Sequence, residues 1–78
     1  MEEIIAKTND IFREVFDDQS LEITREMTAN DVDKWDSLTH LTMIAKTEEV
    51  FGVKFKLKEL VKMKNVGDML DKIQEKLQ

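Results

Sequence analysis

The chain has no cysteine, no proline and no tyrosine, and only two glycines in 78 residues. Without cysteine there are no disulfides, no thiolate zinc site and no thiol nucleophile of its own. Without proline, and with glycine only at Gly52 and Gly67, the turn signals that punctuate small sheet proteins are nearly absent. Val53-Lys54-Phe55 alternates like a strand but is too short to build a sheet alone. No apolar run approaches the roughly 20 residues needed to span a bilayer. The N-terminus, Met1-Glu2-Glu3-Ile4-Ile5, is acidic where a secretory signal would be basic, so a cytoplasmic protein is expected. Apolar residues make up 41% and charged residues 37% of the chain. That is too apolar for a disordered tail, and the length suits a single small domain over 1–78 with no room for a large catalytic cavity.

The net charge is −5, and it is unevenly placed. Residues 1–36 carry 4 basic and 11 acidic side chains, a balance of −7, whereas residues 37–78 carry 8 and 6, a balance of +2. No basic helix is available to enter a DNA groove, so a helix–turn–helix reading fails and no nucleic-acid partner is expected. An acidic domain suits a basic protein partner.

Apolar periodicity reads as helices. Ile4, Ile5, Thr8, Ile11, Phe12, Val15 and Phe16 form one face of a first helix, ending at Asp17-Asp18, whose charges oppose the C-terminal dipole. Residues 19–36 form a long connection anchored by Leu21, Ile23, Met27 and Val32; a connection of this length in so small a domain is expected to pack and to have a function. A second helix begins at Asp36 or Ser37, either of which can cap it. Leu38, Leu41, Ile44, Ala45 and Phe51 are expected on its buried side, with Gly52 in the left-handed conformation after it. A short third helix spans Leu57 to Met63. A fourth follows the cap Asn65, with Asp68 three residues on, and has Val66, Met69, Leu70, Ile73 and Leu77 as its stripe. The fold class is all-α: a small four-helix bundle of three longer helices and one short third helix, with the long loop between helices I and II.

The informative stretch is Trp35-Asp36-Ser37-Leu38-Thr39-His40. A serine at a helix start lies where free amides and the positive dipole end converge, a field that favours a phosphate ester. The plain alternative is that Ser37 or Asp36 is only a cap. Asp36, Ser37 and His40 do not make a hydrolase triad, since no G-x-S-x-G elbow is present. His40 is expected on the exposed side of its helix, and Trp35 is expected to pin the long loop with its ring half buried. Asn30 to Asp36 fails as a calcium loop: counted from Asp31, Asp36 stands where glycine is needed and Thr42 where glutamate is needed. No metal site is expected.

Asp36-Ser37-Leu38 at the head of a second helix, after an acidic first helix and a long loop, resembles an acyl carrier protein, and the likeness covers nearly the whole chain. The resemblance implies a non-enzymatic carrier. Ser37 would hold a covalent 4′-phosphopantetheine arm, donated by coenzyme A and installed by a phosphopantetheinyl transferase (holo-synthase). The arm's thiol would carry acyl groups as thioesters in fatty-acid, polyketide or other lipid metabolism, supplying the sulfur this chain lacks. Leu38, Leu41, Ile44, Phe51, Met63 and Leu70 are the candidate walls of an acyl cavity, and each could equally be plain core. Asp36, Leu38, Glu48 and Glu49 match the partner-recognition face, which in the family meets basic patches on a ligase, synthase or transferase. A monomer is expected. Thr42, Lys46 and the basic run Lys54, Lys56, Lys58, Lys62 and Lys64 depart from the fatty-acid carriers, which points to a specialised pathway with its own partners. A D-alanyl or aminoacyl carrier loaded by a ligase shares these features. A helical interaction module without cofactor is the alternative outside the family. Peptidyl carriers fit less well, because their Gly-Gly lead into the serine is missing.

Overall fold

The computed structural model describes residues 1–78. Helix α1 (Glu2–Val15) opens with Glu2 and Glu3 in its first turn, where the dipole favours acids, and Glu3 meets Lys7 at 3.3 Å one turn on. It buries Thr8, Ile11 and Phe12. Phe16 closes the helix and is itself buried, and Asp17 turns the chain with φ +50°, a left-handed conformation that aspartate tolerates better than most residues. Asp18 then accepts hydrogen bonds from Ser20 N–H at 3.0 Å and Ser20 O–H at 2.6 Å, completing the stop that the two acids predict.

The long connection is laid across the bundle by polar ties. Arg13 Nε donates to Leu21 O at 2.7 Å, and Ile23 N–H donates to Asn9 Oδ1 at 2.8 Å. Arg25 pairs with Asp71 at 2.8 Å. Val66 N–H donates to Met27 O and Gly67 N–H to Arg25 O, each at 2.9 Å. Gly67 suits this close approach: a Cβ would stand 3.0 Å from Arg25 O, so the loop backbone would have to give by a few tenths of an ångström. Thr28 and Asp31 cap each other around a 3-10 turn, Ala29–Asp31. Val32 is buried, and Leu21, Ile23 and Met27 pack against the core as the sequence pattern predicts.

Helix α2 (Ser37–Phe51) ends on Gly52, whose φ of +67° and N–H···O bond to Glu48 at 2.8 Å make the expected left-handed stop. Its buried face differs from the expectation. Met43, Ile44 and Thr47 are buried, whereas Leu38 and Leu41 are 74% and 61% exposed and Ala45 is also exposed. Apolar residues occur all round this helix, so periodicity alone does not choose a side; at about 3.6 residues per turn, Leu38, Leu41 and Ala45 fall opposite Met43 and Thr47. Thr47 is buried because its hydroxyl donates to Met43 O at 2.8 Å within the helix.

Helix α3 (Leu57–Lys62) is short, with Met63 as its C-cap. Helix α4 (Val66–Leu77) starts on Asn65, whose Oδ1 accepts from Asp68 N–H at 2.8 Å. Asp68 takes the N–H of Lys64 at 3.0 Å, one residue before the reciprocal cap position. Val66, Met69, Leu70 and Ile73 are buried as expected, but Leu77, in the last turn, is 47% exposed. Residues from α1, the long connection, α2 and α4 make one core: Ile11, Phe12, Phe16, Val32, Met43, Ile44, Val66, Met69, Leu70 and Ile73. The architecture is all-α, and no helix is long and apolar enough to cross a membrane.

Helix α3 contributes no buried residue to that core. It is held largely through Glu59, whose side chain is 16% exposed. Its carboxylate accepts from Lys56 N–H at 2.7 Å and meets Lys76 at 3.0 Å and Lys72 at 3.6 Å, both on α4. The Lys56 amide first, and then Lys76, hold its pKa down from 4.5 to about 2. A carboxylate with a depressed folded pKa stabilises fully above its unfolded value, and that contribution is lost as pH falls toward the folded one. The protection factors of the Leu57–Lys62 amides are therefore expected to fall between pH 4.5 and about 2 while the α1–α4 core stays protected. Glu59→Gln should bring the same fall at neutral pH; unchanged protection in that variant would show that Glu59 does not hold α3.

Candidate functional site

The start of α2 is built by a reciprocal cap. Asp36 Oδ1 accepts from Thr39 N–H at 2.9 Å, and Asp36 N–H donates to Thr39 Oγ1 at 2.8 Å. Thr39 Oγ1 also donates to Lys34 O at 2.8 Å, tying the helix to the end of the loop. The Thr39 amide, followed by the Thr39 hydroxyl, holds the Asp36 carboxyl below the ordinary aspartate value. Of the two possible caps it is Asp36 that serves. Ser37, the first helical residue, is released from that task and stands exposed.

Trp35 precedes the cap and faces inward. Its ring lies edge-on to Phe12 at 5.3 Å and tilted against Phe16 at 5.7 Å, so it does pin the loop onto the bundle. His40 departs from the expected exposed position. It stacks on Trp35 with ring centroids 6.0 Å apart and planes 16° from parallel, and its Nδ1 accepts from Trp35 Nε1–H at 3.0 Å. A half-buried indole N–H needs an acceptor, and His40 is the side chain within reach.

Two spaces meet at this pair. An open groove of about 540 Å³ runs beside Ser37, lined by Ala29, Trp35, Asp36, Ser37, His40 and Leu41. A smaller cavity of about 110 Å³ lies within, lined by Trp35, His40, Met43, Met63 and Met69, with Ala29, Lys64 and Asn65 completing it. Ala29, Trp35 and His40 belong to both and form the wall between them. The methionines supply adaptable apolar surface.

The expected cavity residues separate into three groups. Met63 lines the small cavity; Ile44 and Leu70 are buried in the core, and Phe51 packs at its edge. Leu38 and Leu41 are not interior walls, because they project to solvent on the outer side of α2. Met43, Met69, Trp35 and His40 are the lining residues that sequence reasoning missed. Their signal was present in part: His40, Met43 and Thr47 repeat at the three- and four-residue spacing of one helix face. On the expected docking face, Asp36 and Glu49 are exposed, whereas Glu48 is turned inward and accepts from Phe55 N–H at 2.8 Å. Glu48 thus closes the α2–α3 loop and is not a free surface acid. No cluster of acidic and histidine side chains is arranged to hold a metal ion.

Burial lowers the pKa of His40 below its usual 6.5. Protonation fills Nδ1 and ends its role as acceptor for Trp35. A depressed histidine pKa means the folded state favours the neutral ring, so stability is full above 6.5 and declines as pH falls through that value toward the lowered one. The Trp35 indole N–H resonance is expected to move in one step with its midpoint below pH 6.5. A midpoint at or above that value would disprove the buried arrangement of His40.

No family model matches the chain. It is similar to the meromycolate extension acyl carrier protein of Mycobacterium leprae, with 36% identity over 74 residues, 95% of this chain. The matched stretch is 64% of that relative, so the chain spans just under two thirds of its length. The meromycolate extension acyl carrier protein of Mycolicibacterium smegmatis is 35% identical over 74 residues, 95% of this chain and 75% of that one. Among solved structures, a holo acyl carrier protein from Geobacter metallireducens superposes with a TM-score of 0.90 at 49% identity, over 94% of this chain and 84% of that chain. The superposition and these identities lead to one conclusion: the chain belongs to the acyl carrier protein family.

Proposed function

We propose that this protein carries acyl intermediates as thioesters on a 4′-phosphopantetheine arm attached to Ser37, and presents them to the enzymes of a specialised pathway. The observation that supports this most is the freedom of Ser37. Its neighbour Asp36 performs the cap, and the serine stands exposed at the lip of a groove with room beside it. The residues present suit the arm. A primary hydroxyl is offered at the positive end of α2, the adjoining groove is lined by apolar Ala29, Trp35 and Leu41, and Asp36 is turned into its own helix by two hydrogen bonds with Thr39. When bound, the arm supplies the thiol that the cysteine-free chain does not have.

The protein's own residues then bind and position. Ser37 Oγ would form the phosphoester bond to the arm as the pyrophosphate bond of coenzyme A breaks, adenosine 3′,5′-bisphosphate leaving and the serine proton passing to the transferase. Trp35 and His40 fix the inner wall of the groove. The methionine-lined cavity behind them is the apolar space closest in character to an acyl chain, and it replaces the outward-facing Leu38 and Leu41 in that role. Leu38, with Asp36 and Glu49, forms the outward face for partner enzymes, a phosphopantetheinyl transferase first and then a ligase, synthase or transferase with a basic patch. The domain makes and breaks no bonds itself; it raises the local concentration of a tethered substrate. A dedicated pathway is supported by relatives named for meromycolate extension and by Thr42, Lys46 and the lysine-rich α3 region.

Incubation with coenzyme A, magnesium and a broad-specificity phosphopantetheinyl transferase should add one phosphopantetheine, mapped to Ser37 by peptide mass. Ser37→Ala should keep the circular dichroism of the parent and gain no mass; a folded variant that still loads would end the assignment. Glu49→Lys should raise the transferase KM several-fold at low salt and less at high salt, since an exposed charge is screened. A loss that ignores salt would place the damage in packing instead.

A further inference from the structure

The outer face of α3 has chemistry that the carrier reading does not use. Leu57 and Val61 are 77% and 73% exposed and lie one turn apart, on the same side of the helix. Lys58 and Lys62 follow them at the same spacing, while Glu59 and Leu60 face the bundle. Lys54 and Lys56 lead into the helix and Lys64 leaves it. All five lysines are exposed, and none takes part in an ion pair.

Acids to neutralise them stand nearby but are engaged elsewhere. The groove between α3 and α4 places Lys58 and Lys62 alongside Glu59, Asp68, Asp71 and Glu75. Glu59 is held by Lys72 and Lys76, Asp71 by Arg25, Glu75 by Lys72, and Asp68 by the Lys64 amide. The fold engages its local acids and leaves five free lysines along the same short segment as two protruding apolar side chains.

We propose that this face docks on an anionic lipid surface. Charge complementarity calls for a negative partner, and Leu57 and Val61 call for one that is apolar beneath its charge. The composition favours a bilayer over an acidic protein. Protein interfaces are enriched in arginine and aromatic residues and depleted in lysine. The segment 54–64 has no arginine, tryptophan or tyrosine, and its one aromatic, Phe55, is half-buried beneath Lys76. Long lysine stems suit a fluid headgroup layer, where they can flank an inserted leucine without fixed geometry. The net charge of −5 does not oppose such contact: the molecule is at least 22 Å across, and charges are screened over about 8 Å at physiological ionic strength. Met63 and Lys64, at the end of α3, line the small cavity together with Trp35 and His40, so docking here would place that cavity beside lipid.

The test is co-sedimentation of the unmodified protein, and of Ser37→Ala, with vesicles of equimolar phosphatidylglycerol and phosphatidylcholine. Neither protein needs the arm, so the result is independent of Ser37 loading. Both should bind the mixed vesicles, weaken as salt is raised, and ignore vesicles of phosphatidylcholine alone. Lys58→Glu with Lys62→Glu should weaken binding by at least about tenfold, as should Leu57→Ser with Val61→Ser. Lys58→Gln with Lys62→Gln provides a milder pair should charge reversal disturb α3, and circular dichroism confirms folding of each. Failure of the parent to bind the anionic vesicles, as expected if the face serves an acidic protein, overturns the proposal. So does equal binding by folded lysine variants, which would assign the contact to another surface.

Discussion

The packing of Trp35 against Phe12 and Phe16 is the contact on which the site depends. Trp35 is the last loop residue before the cap of α2, so its burial sets where the long connection ends and where Asp36 and Ser37 begin. Phe12 and Phe16 are themselves fully buried, edge-on at 5.5 Å, and they belong to α1. One aromatic cluster therefore joins the first helix, the loop and the start of the second. The indole N–H adds direction: by donating to His40 it fixes the rotation of α2 about its axis, and with it the outward aim of Leu38 and Leu41.

Charge in this protein does two separate jobs. Some ionic groups hold elements together, as Arg25 with Asp71, Lys46 with Glu14, and Glu59 with Lys72 and Lys76. Others stay free and give each region its character: acids on α1 and the loop, lysines around α3. Helix α3 has no buried residue of its own and is held largely by the partly buried pairs of Glu59 with Lys72 and Lys76, so it is the element most easily loosened. Its C-cap, Met63, lines the methionine-rich cavity.

Much of this was legible in the sequence. Helices α1 and α4 are strongly amphipathic, so period and caps agreed and their core residues emerged with few errors, Leu77 among them. Gly52 and Asn65 announced their ends correctly because a left-handed stop and a side-chain cap are local events. The Asp36 cap at the head of α2 was legible for the same reason. On helix α2, Ile44 and Phe51 were read correctly as inward but Leu38, Leu41 and Ala45 were not, since leucine, alanine and methionine occur all round it and hydrophobicity did not distinguish the sides. Glu48 looked like a surface acid because its partner, the Phe55 amide, lies beyond a turn whose path periodicity does not describe.

The sequence by itself determined the helical class, the order and lengths of the helices, the place of Ser37 and the charge asymmetry, because each follows from short-range spacing, capping and composition. Tertiary structure alone decided which face of α2 is buried, that Trp35 and His40 bond across the loop, that the cavity is lined by methionines, and that the lysines of α3 go unpaired. Those outcomes depend on competition among distant groups for the same neighbours: one ring against another, one acid among several lysines. Such competition is resolved only when the chain is closed in three dimensions.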